Sequence, residues 1–323
     1  MGPAEQILEW LRAADAPVSG SELARRLGCS RTAVWKHVAA LRRVGYAIDG
    51  RRADGYRLMA APDRLGPAEL APHLTGSWRR IEWRAELDST QRLARELAQG
   101  GAEEGTTVIA ERQTAGRGRL GREWHSPAGA NLYCSVVLRP AVALAAVPSL
   151  ALVAGLAVAD AVRGATGLAA ALKWPNDLQL RGRKVAGILM ELDAEVERVH
   201  AVVAGIGVNV NLAAFPDALA ATATSLRLET GAAVDRAALT GRLLAALEER
   251  YRRFLAGGFA AMRSEWEACS ALTGKEVRVT APEGEVAGRV LGVDDEGALR
   301  LAGPRGEVRV VAGEVTLRGG EIG

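Results

Sequence analysis

Between Leu172 and Val210 the chain lays down four extended runs, Leu172–Trp174, Leu178–Leu180, Val185–Leu192 and Val199–Val210, with no helical periodicity between them. Strands joined by short turns pair antiparallel, whereas a parallel neighbour needs a crossover of helix length. This pattern excludes a regular doubly wound fold. Further strands at Trp78–Leu87, Thr106–Glu111 and Leu132–Leu138, with helices at Gln91–Ala98, Val147–Gly164, Asp235–Ala256 and Phe259–Ser270, predict an α+β domain built on a mixed sheet. The most apolar segment, Ala141–Val162, is broken by Pro148 and runs into Asp160 and Arg163. It reads as a buried helix, and no apolar run is expected to be long enough to span a bilayer.

Both ends of the chain depart from this pattern. Near the start, Ile7, Leu8 and Leu11 mark a helix over Pro3–Ala14. Ser19 or Ser21 caps a second helix ending at Leu27. Gly28 turns the chain, and Ser30 caps Arg31–Val44, with Val34, Val38 and Leu41 inward. Two short helices about a glycine turn make a helix-turn-helix. The following GYAIDGRRADGYRL reads as a β-hairpin, the wing of a winged helix. The first 62 residues carry 10 Lys and Arg against 6 acids, and the remainder 31 against 32. The basic excess thus lies where Arg31, Thr32, Trp35 and Lys36 face outward and where Arg51 and Arg52 tip the wing, a DNA-reading arrangement. A winged helix that docks protein has the same pattern. Ala60–Gly66 is a short linker, so the expected domains are 1–63, 64–270 and 271–323. The last holds five short alternating runs (Val277–Thr280, Glu285–Val293, Ala298–Ala302, Glu307–Val311 and Val315–Leu317), enough for a small β-barrel.

Chemistry concentrates in the middle domain. The chain has four lysines, Lys36, Lys173, Lys184 and Lys275, and two of them bracket KWPNDLQLRGRK at Lys173–Lys184. A compact ammonium and a planar guanidinium are not interchangeable, so these positions read as ones that need an ammonium; chance clustering on a solvated hairpin gives the same pattern. Asn176 and Asp177 put an amide and a carboxylate at a turn, with Asp177 a candidate Mg²⁺ ligand, directly or through water. Gly187 leaves room for a flat ligand, and Asn209 ends a buried strand. The partner stretch is GRGRLGR, Gly116–Arg122. It matches GxGxxG formally, but no helix opens after it. Its glycines let backbone approach a ligand closely. Arg117, Arg119 and Arg122 offer charge to a phosphate or carboxylate, and the loop is expected to order on an anion. A solvated surface loop has the same composition. Cys29, Cys134 and Cys269 and the four histidines are scattered, which argues against a disulfide framework or a structural zinc. MGPAEQILEW lacks the features of a signal peptide, so a cytoplasmic location is expected.

The joint set DST at Asp88–Thr90, ERQTAGRGRLGREWHSPAGANLY at Glu111–Tyr133, KWPNDLQLRGRKVAGILME at Lys173–Glu191 and GIGVNVN at Gly205–Asn211 resembles biotin–protein ligase. With the winged helix in front, it resembles the bifunctional bacterial form that also represses the biotin operon. The resemblance implies a two-step reaction: biotin and ATP give biotinyl-5′-AMP, and a lysine of the biotin carboxyl carrier protein of acetyl-CoA carboxylase then takes the acyl group. It implies that Ser89, Thr90 and Gln113 bind the ureido head. Gly116 and Gly187 flank the rings, and Arg117, Gly118 and Arg119 close over carboxylate and phosphate. Lys184 is the main catalytic cation, beside Arg119 and Asp177. Arg122, Trp124, Lys173, Asn176 and Asn209 surround the nucleotide. It further implies ATP with Mg²⁺, operator DNA, a homodimer, no membrane association and a Src-homology-3-like C-terminal domain whose Arg318 reaches toward ATP. Gln91 and Leu120 stand where related sequences carry other polar residues. A ligase whose winged helix no longer represses, an adenylate-sensing repressor without turnover and a lipoate–protein ligase remain open at this point.

Overall fold

A computed structural model of the protein describes residues 2–51, 54–195, 198–282, 284–304 and 306–317. Contacts divide the chain into two units, Met1–Arg64 and Leu65–Gly323. In the first, α1 (Pro3–Ala13), α2 (Gly20–Leu27) and α3 (Arg31–Arg43) precede the hairpin β1 (Ala47–Arg51) and β2 (Gly55–Ala60). Ser19, not Ser21, caps α2, accepting from the Glu22 amide at 3.1 Å. Gly28 takes the left-handed conformation at φ 62°, which a side chain would oppose, and Ser30 caps α3 through the Ala33 amide. Ile7, Leu8, Leu11, Leu23, Val34, Val38 and Leu41 form the interior.

The second unit runs α4 (Pro67–Leu70), β3 (Ile81–Arg84), α5 (Thr90–Gln99), β4 (Thr107–Ala110), β5 (Leu132–Leu138), α6 (Leu150–Thr166), β6 (Ala171–Lys173), β7 (Asp177–Leu180), β8 (Arg183–Glu195), β9 (Arg198–Val208), α7 (Asp217–Ala220), α8 (Leu226–Thr230), α9 (Arg236–Gly257) and α10 (Arg263–Ala268). Seven strands form one mixed sheet in the order β3-β4-β5-β9-β8-β7-β6, parallel only between β3 and β4. The expected strand Trp78–Leu87 shrinks to β3: at its start the Trp78 amide turns to the Glu248 carboxylate of α9, and at its end Leu87 keeps only an isolated bridge to Gln113. The expected helix Phe259–Ser270 divides into a 3₁₀ turn, Phe259–Met262, and α10.

One face of this sheet carries Leu132, Cys134, Val136, Leu138, Ile188, Val202, Ala204, Ile206 and Val208, all buried in one cluster with α6 and α9. Contrary to the sequence expectation, the helical stretch Leu144–Thr166 is long and apolar enough to cross a membrane, with a mean hydropathy of 1.9, but 72% of that window is buried inside the protein. It is the core helix, and its apolar surface is spent on the sheet and α9. On the opposite face α5 covers only part of the sheet, through Ala94, Ala98, Val108, Val137, Ala201 and Val203. The rest is left for the site.

Five antiparallel strands follow, β10 (Glu276–Ala281), β11 (Gly284–Val293), β12 (Leu299–Gly303), β13 (Gly306–Val310) and β14 (Glu314–Leu317), in the order β13-β12-β11-β10-β14. Trp174, at the end of β6, ties this sheet to the central one: its ring is buried and its Nε1 donates to the Gly297 carbonyl at 3.0 Å.

Candidate functional site

The site begins with what the strands lack. In β5, β9 and β8, Tyr133 and Gly187 both stand opposite Gly207, and Ser135 and Leu189 both stand opposite Gly205. Strand alternation puts these residues on the face away from α6. Glycine at 187, 205 and 207 strips that face of side chains and leaves a floor of bare backbone. A Cβ at Gly207 would stand 2.5 Å from the Trp124 ring, and one at Gly205 would stand 2.3 Å from Gln91 Oε1. The Trp124 ring therefore lies against the floor at Gly187 and Gly207, its Nε1 buried without a hydrogen-bond partner.

The polar end of the pocket grows from the start of α5. Ser89 occupies the N-cap position, yet its hydroxyl caps nothing. That hydroxyl lines the pocket, buried and without a hydrogen-bond partner. Beside it the Thr90 amide donates to Gln113 Oε1 at 2.8 Å, and Gln113 Nε2 donates to Ser126 Oγ at 3.0 Å. Ser135 Oγ donates to Thr90 Oγ1 at 2.9 Å and lies 3.0 Å from Gln91 Oε1. Gln91 Nε2 is fixed in turn by the Val203 and Leu189 carbonyls. Every member is satisfied except Ser89, and an unsatisfied buried hydroxyl is costly unless a ligand answers it. Tyr133 seals one side; burial pushes its phenol above the ordinary range, so it stays protonated.

The cationic wall faces this end. Lys184 Nζ lies 2.7 Å from Asp177 Oδ1 and 5.4 Å from the centre of the Trp124 ring. The first is an ion-pair contact rather than an aligned hydrogen bond, and the second is within cation–π range. Arg119 Nη1 donates to Asn176 Oδ1 at 3.0 Å. Burial pulls the Arg119 guanidinium below its ordinary value, and Asp177 and Glu314 oppose that shift. The Gly116–Trp124 stretch is folded on itself: the Gly118 amide donates to the Arg122 carbonyl, the Trp124 amide donates to that of Gly116, and the backbones of Arg117 and Glu123 pair as an isolated antiparallel bridge. Leu120 takes φ 55° within it. Past this loop the pocket shares walls with a wider cleft lined by Leu144, Val147, Met190, Gly297 and Val311.

The structure brings Ser89, Thr90, Gln113, Arg117, Gly118, Arg119, Trp124, Asn176, Lys184 and Gly187 into one pocket. It leaves others outside. Gly116 lines the wider cleft, where a Cβ would meet Ser126 Oγ at 2.6 Å, so its smallness serves the fold of the loop. Arg122 also lines the cleft and pairs with Glu314 at 2.6 Å. Lys173 and Asp177 line a small separate cavity, although Asp177 still reaches the pocket's Lys184 at 2.7 Å. Asn209 is buried, its Oδ1 3.5 Å from Asn131 Nδ2, as a strand-end brace. Arg318 and Arg52 lie outside the described residues, as does the side chain of Arg51. Sequence reasoning did not assign Gln91, Tyr133, Ser135, Gly205 or Gly207 to the pocket; for the two glycines the alternation with Ile and Val in GIGVNVN was the available signal.

Among the described residues, no group of three or more His, Cys, Asp and Glu could hold a metal ion. In the first unit Arg31, Thr32, Trp35 and Lys36 are all exposed on α3, Trp35 at 57%.

A glycine-floored, cation-walled pocket on a mixed sheet, in a chain that also carries a helix-turn-helix, matches families on both counts. Residues 72–209 match the Biotin/lipoate A/B protein ligase family, residues 272–318 the Biotin protein ligase C terminal domain, and residues 4–57 an HTH domain. The chain belongs to the biotin protein ligase family. Within it, the Bacillus spizizenii bifunctional ligase/repressor BirA is 40% identical over 304 residues, 93% of this chain and 94% of that protein. The Escherichia coli bifunctional ligase/repressor BirA is 33% identical over 94% of each. The biotin protein ligase from Aquifex aeolicus in complex with biotin and ATP superposes with a TM-score of 0.66 at 33% identity, covering 74% of this chain and 99% of that one.

Proposed function

We propose that this protein is an ATP-dependent biotin ligase that also represses biotin genes. It joins biotin to ATP as biotinyl-5′-AMP, passes the biotinyl group to a lysine of biotin carboxyl carrier protein, and binds operator DNA when it holds the adenylate. The observation that carries the reading is one pocket holding a flat glycine floor, an unanswered Ser89 hydroxyl and the charges of Lys184 and Arg119.

The Ser89 hydroxyl, with Thr90 and Gln113, suits a ureido head, and Gly187 with Gly207 suits flat fused rings. Lys184 and Arg119 then meet the carboxylate as it attacks the α-phosphate. Both steps redistribute negative charge about one phosphorus, and preorganised cations stabilise it. The adenylate is itself an activated acyl donor, so the enzyme needs no nucleophile of its own. Arg117 and Gly118 close over the ligand. Asn176, Trp124 and Arg122 border the nucleotide, with Lys173 and Asn209 supporting from behind. Asp177 is a single carboxylate shared with Lys184, so Mg²⁺ is best carried by the triphosphate and water with Asp177 at its edge. It would neutralise the departing pyrophosphate. Arg318 is assigned to the nucleotide by sequence position alone.

The domain limits 1–63, 64–270 and 271–323, a Src-homology-3-like closure of the last domain, a cytoplasmic location and a homodimer belong to the same reading. The dimer follows from two-fold operators, which need paired reading helices. Arg31, Thr32, Trp35, Lys36, Arg51 and Arg52 would meet the DNA.

Biotin-dependent ATP–pyrophosphate exchange tests the enzyme, with lipoate as control and Lys184→Ala as comparison. Exchange with biotin alone, reduced to a small measurable residue in Lys184→Ala, is expected. Exchange with lipoate only would assign the site to the other branch of the family, and no exchange would leave a sensor. Binding to the chain's own biotin-gene promoter with biotin and ATP, no tighter than to random DNA at equal salt, would reject the repressor role.

A further inference from the structure

Strand β9 pairs with β8 no further than Ala186, so the backbone of Lys184 needs another neighbour on that side. The segment Thr222–Thr224 supplies it: the Lys184 amide donates to the Thr222 carbonyl at 2.8 Å, and the Thr224 amide donates to the Lys184 carbonyl at 2.9 Å. On its other side Lys184 follows the turn between β7 and β8, Arg181–Gly182, where both residues take positive φ, 49° and 78°. An arginine in that conformation needs something to hold it.

One carboxylate reaches all of these pieces. Glu229, on the short helix α8, has a side chain only 1% exposed. Its Oε1 accepts from Arg183 Nη2 at 2.7 Å and from Thr224 Oγ1 at 2.6 Å, while Oε2 lies 3.3 Å from Arg181 Nε. α8 is itself anchored, since Ser225 Oγ caps the Leu228 amide and donates to the Leu212 carbonyl. Glu229 thus grips the residues just before Lys184 in β8 and the strand segment paired with it, without touching the pocket.

We propose that Glu229 is a positioning residue for the reaction: it locks the β7–β8 turn to Thr222–Thr224 and so fixes where the Lys184 ammonium stands. The same carboxylate balances the Arg181 and Arg183 guanidiniums. This rests on the reading of Lys184 as the cation of the reacting centre.

The test counts intact sites by biotin titration and measures biotin-dependent ATP–pyrophosphate exchange per site. Glu229→Ala is expected to lower exchange per site about ten- to a hundredfold, the scale of a misplaced catalytic group, with biotin affinity unchanged. Glu229→Gln, which keeps an acceptor for Thr224, should lose less. In a Lys184→Ala background, Glu229→Ala should cost nothing further, because both changes remove one interaction. Exchange per site that stays at the wild-type level, or losses that simply add, would overturn the proposal. If Glu229→Ala does not fold, Thr224→Val with Glu229→Gln carries the same measurements. Wild-type exchange in Lys184→Ala alone would instead bring down the reading of Lys184 itself, and the two failures are thereby distinguished.

Discussion

The two faces of β5, β8 and β9 are made from alternate residues of the same strands, yet they do opposite work. Ile206 and Val208 fill the face toward α6, while Gly205 and Gly207 empty the other. On the first face each methyl group adds burial. On the second, a methyl group would obstruct Trp124 or Gln91. Stability and binding are thus separated by one residue of register, and substitutions one step apart should fail in different ways.

The largest effect should come from the packed face. Ile206→Ala is expected to lower unfolding free energy by about 2–5 kcal/mol, the usual cost of a core truncation, while exchange per biotin site survives. Denaturant unfolding beside active-site titration checks it; equal loss of both would dissolve the distinction between faces. Next, Gly207→Ala leaves a backbone that L residues adopt but sets a Cβ against the floor's occupant. Biotin affinity should fall by about one to two orders of magnitude, the scale of a ligand unable to seat, with the thermal midpoint nearly kept. Ser89→Ala sharpens the contrast through opposite signs. Removing a buried hydroxyl that has no partner should leave stability unchanged or raised, while biotin binding weakens about tenfold through the lost hydrogen bond. Calorimetric titration and a melting curve on one sample read both.

The smallest effect concerns acid. Burial opposes ionisation of Glu248, but donation from Ser77 and Trp78 and the charge of Arg252 outweigh it, so its carboxyl sits below the ordinary 4.5. A depressed carboxyl contributes stability that is fully present above its unfolded value and is lost as pH falls through the folded one. Glu248→Gln should therefore flatten the acid limb of stability below about pH 4.5. Because α9 lies on the packed side, exchange per site should keep its pH profile.

Much of this could be read from residues before any coordinates. β5 spans the expected Leu132–Leu138 and is buried throughout. The first unit followed from serine caps and Gly28, because such signals act locally. The misses were tertiary. Trp78 leaves the strand pattern as Glu248, far along the chain, claims its amide. Gly205 and Gly207 drew no reading of their own within the expected strand Val199–Val210; only register sets them beside Gly187 and Ser135. Lys173 and Lys184 share a motif but not a cavity, since the intervening turn sends them to different walls. Spacing along the chain does not encode which wall.

The indole of Trp124 rests on the same glycines that a flat ligand would use. An arriving ring system therefore enters by exchange and not by filling a vacancy. Whatever fraction of molecules has the indole aside sets the apparent dissociation constant, which equals the intrinsic one divided by that fraction. Substitutions at 124 can then shift the apparent affinity for that ring system in either direction through this fraction alone, and the tryptophan's own emission would follow the exchange.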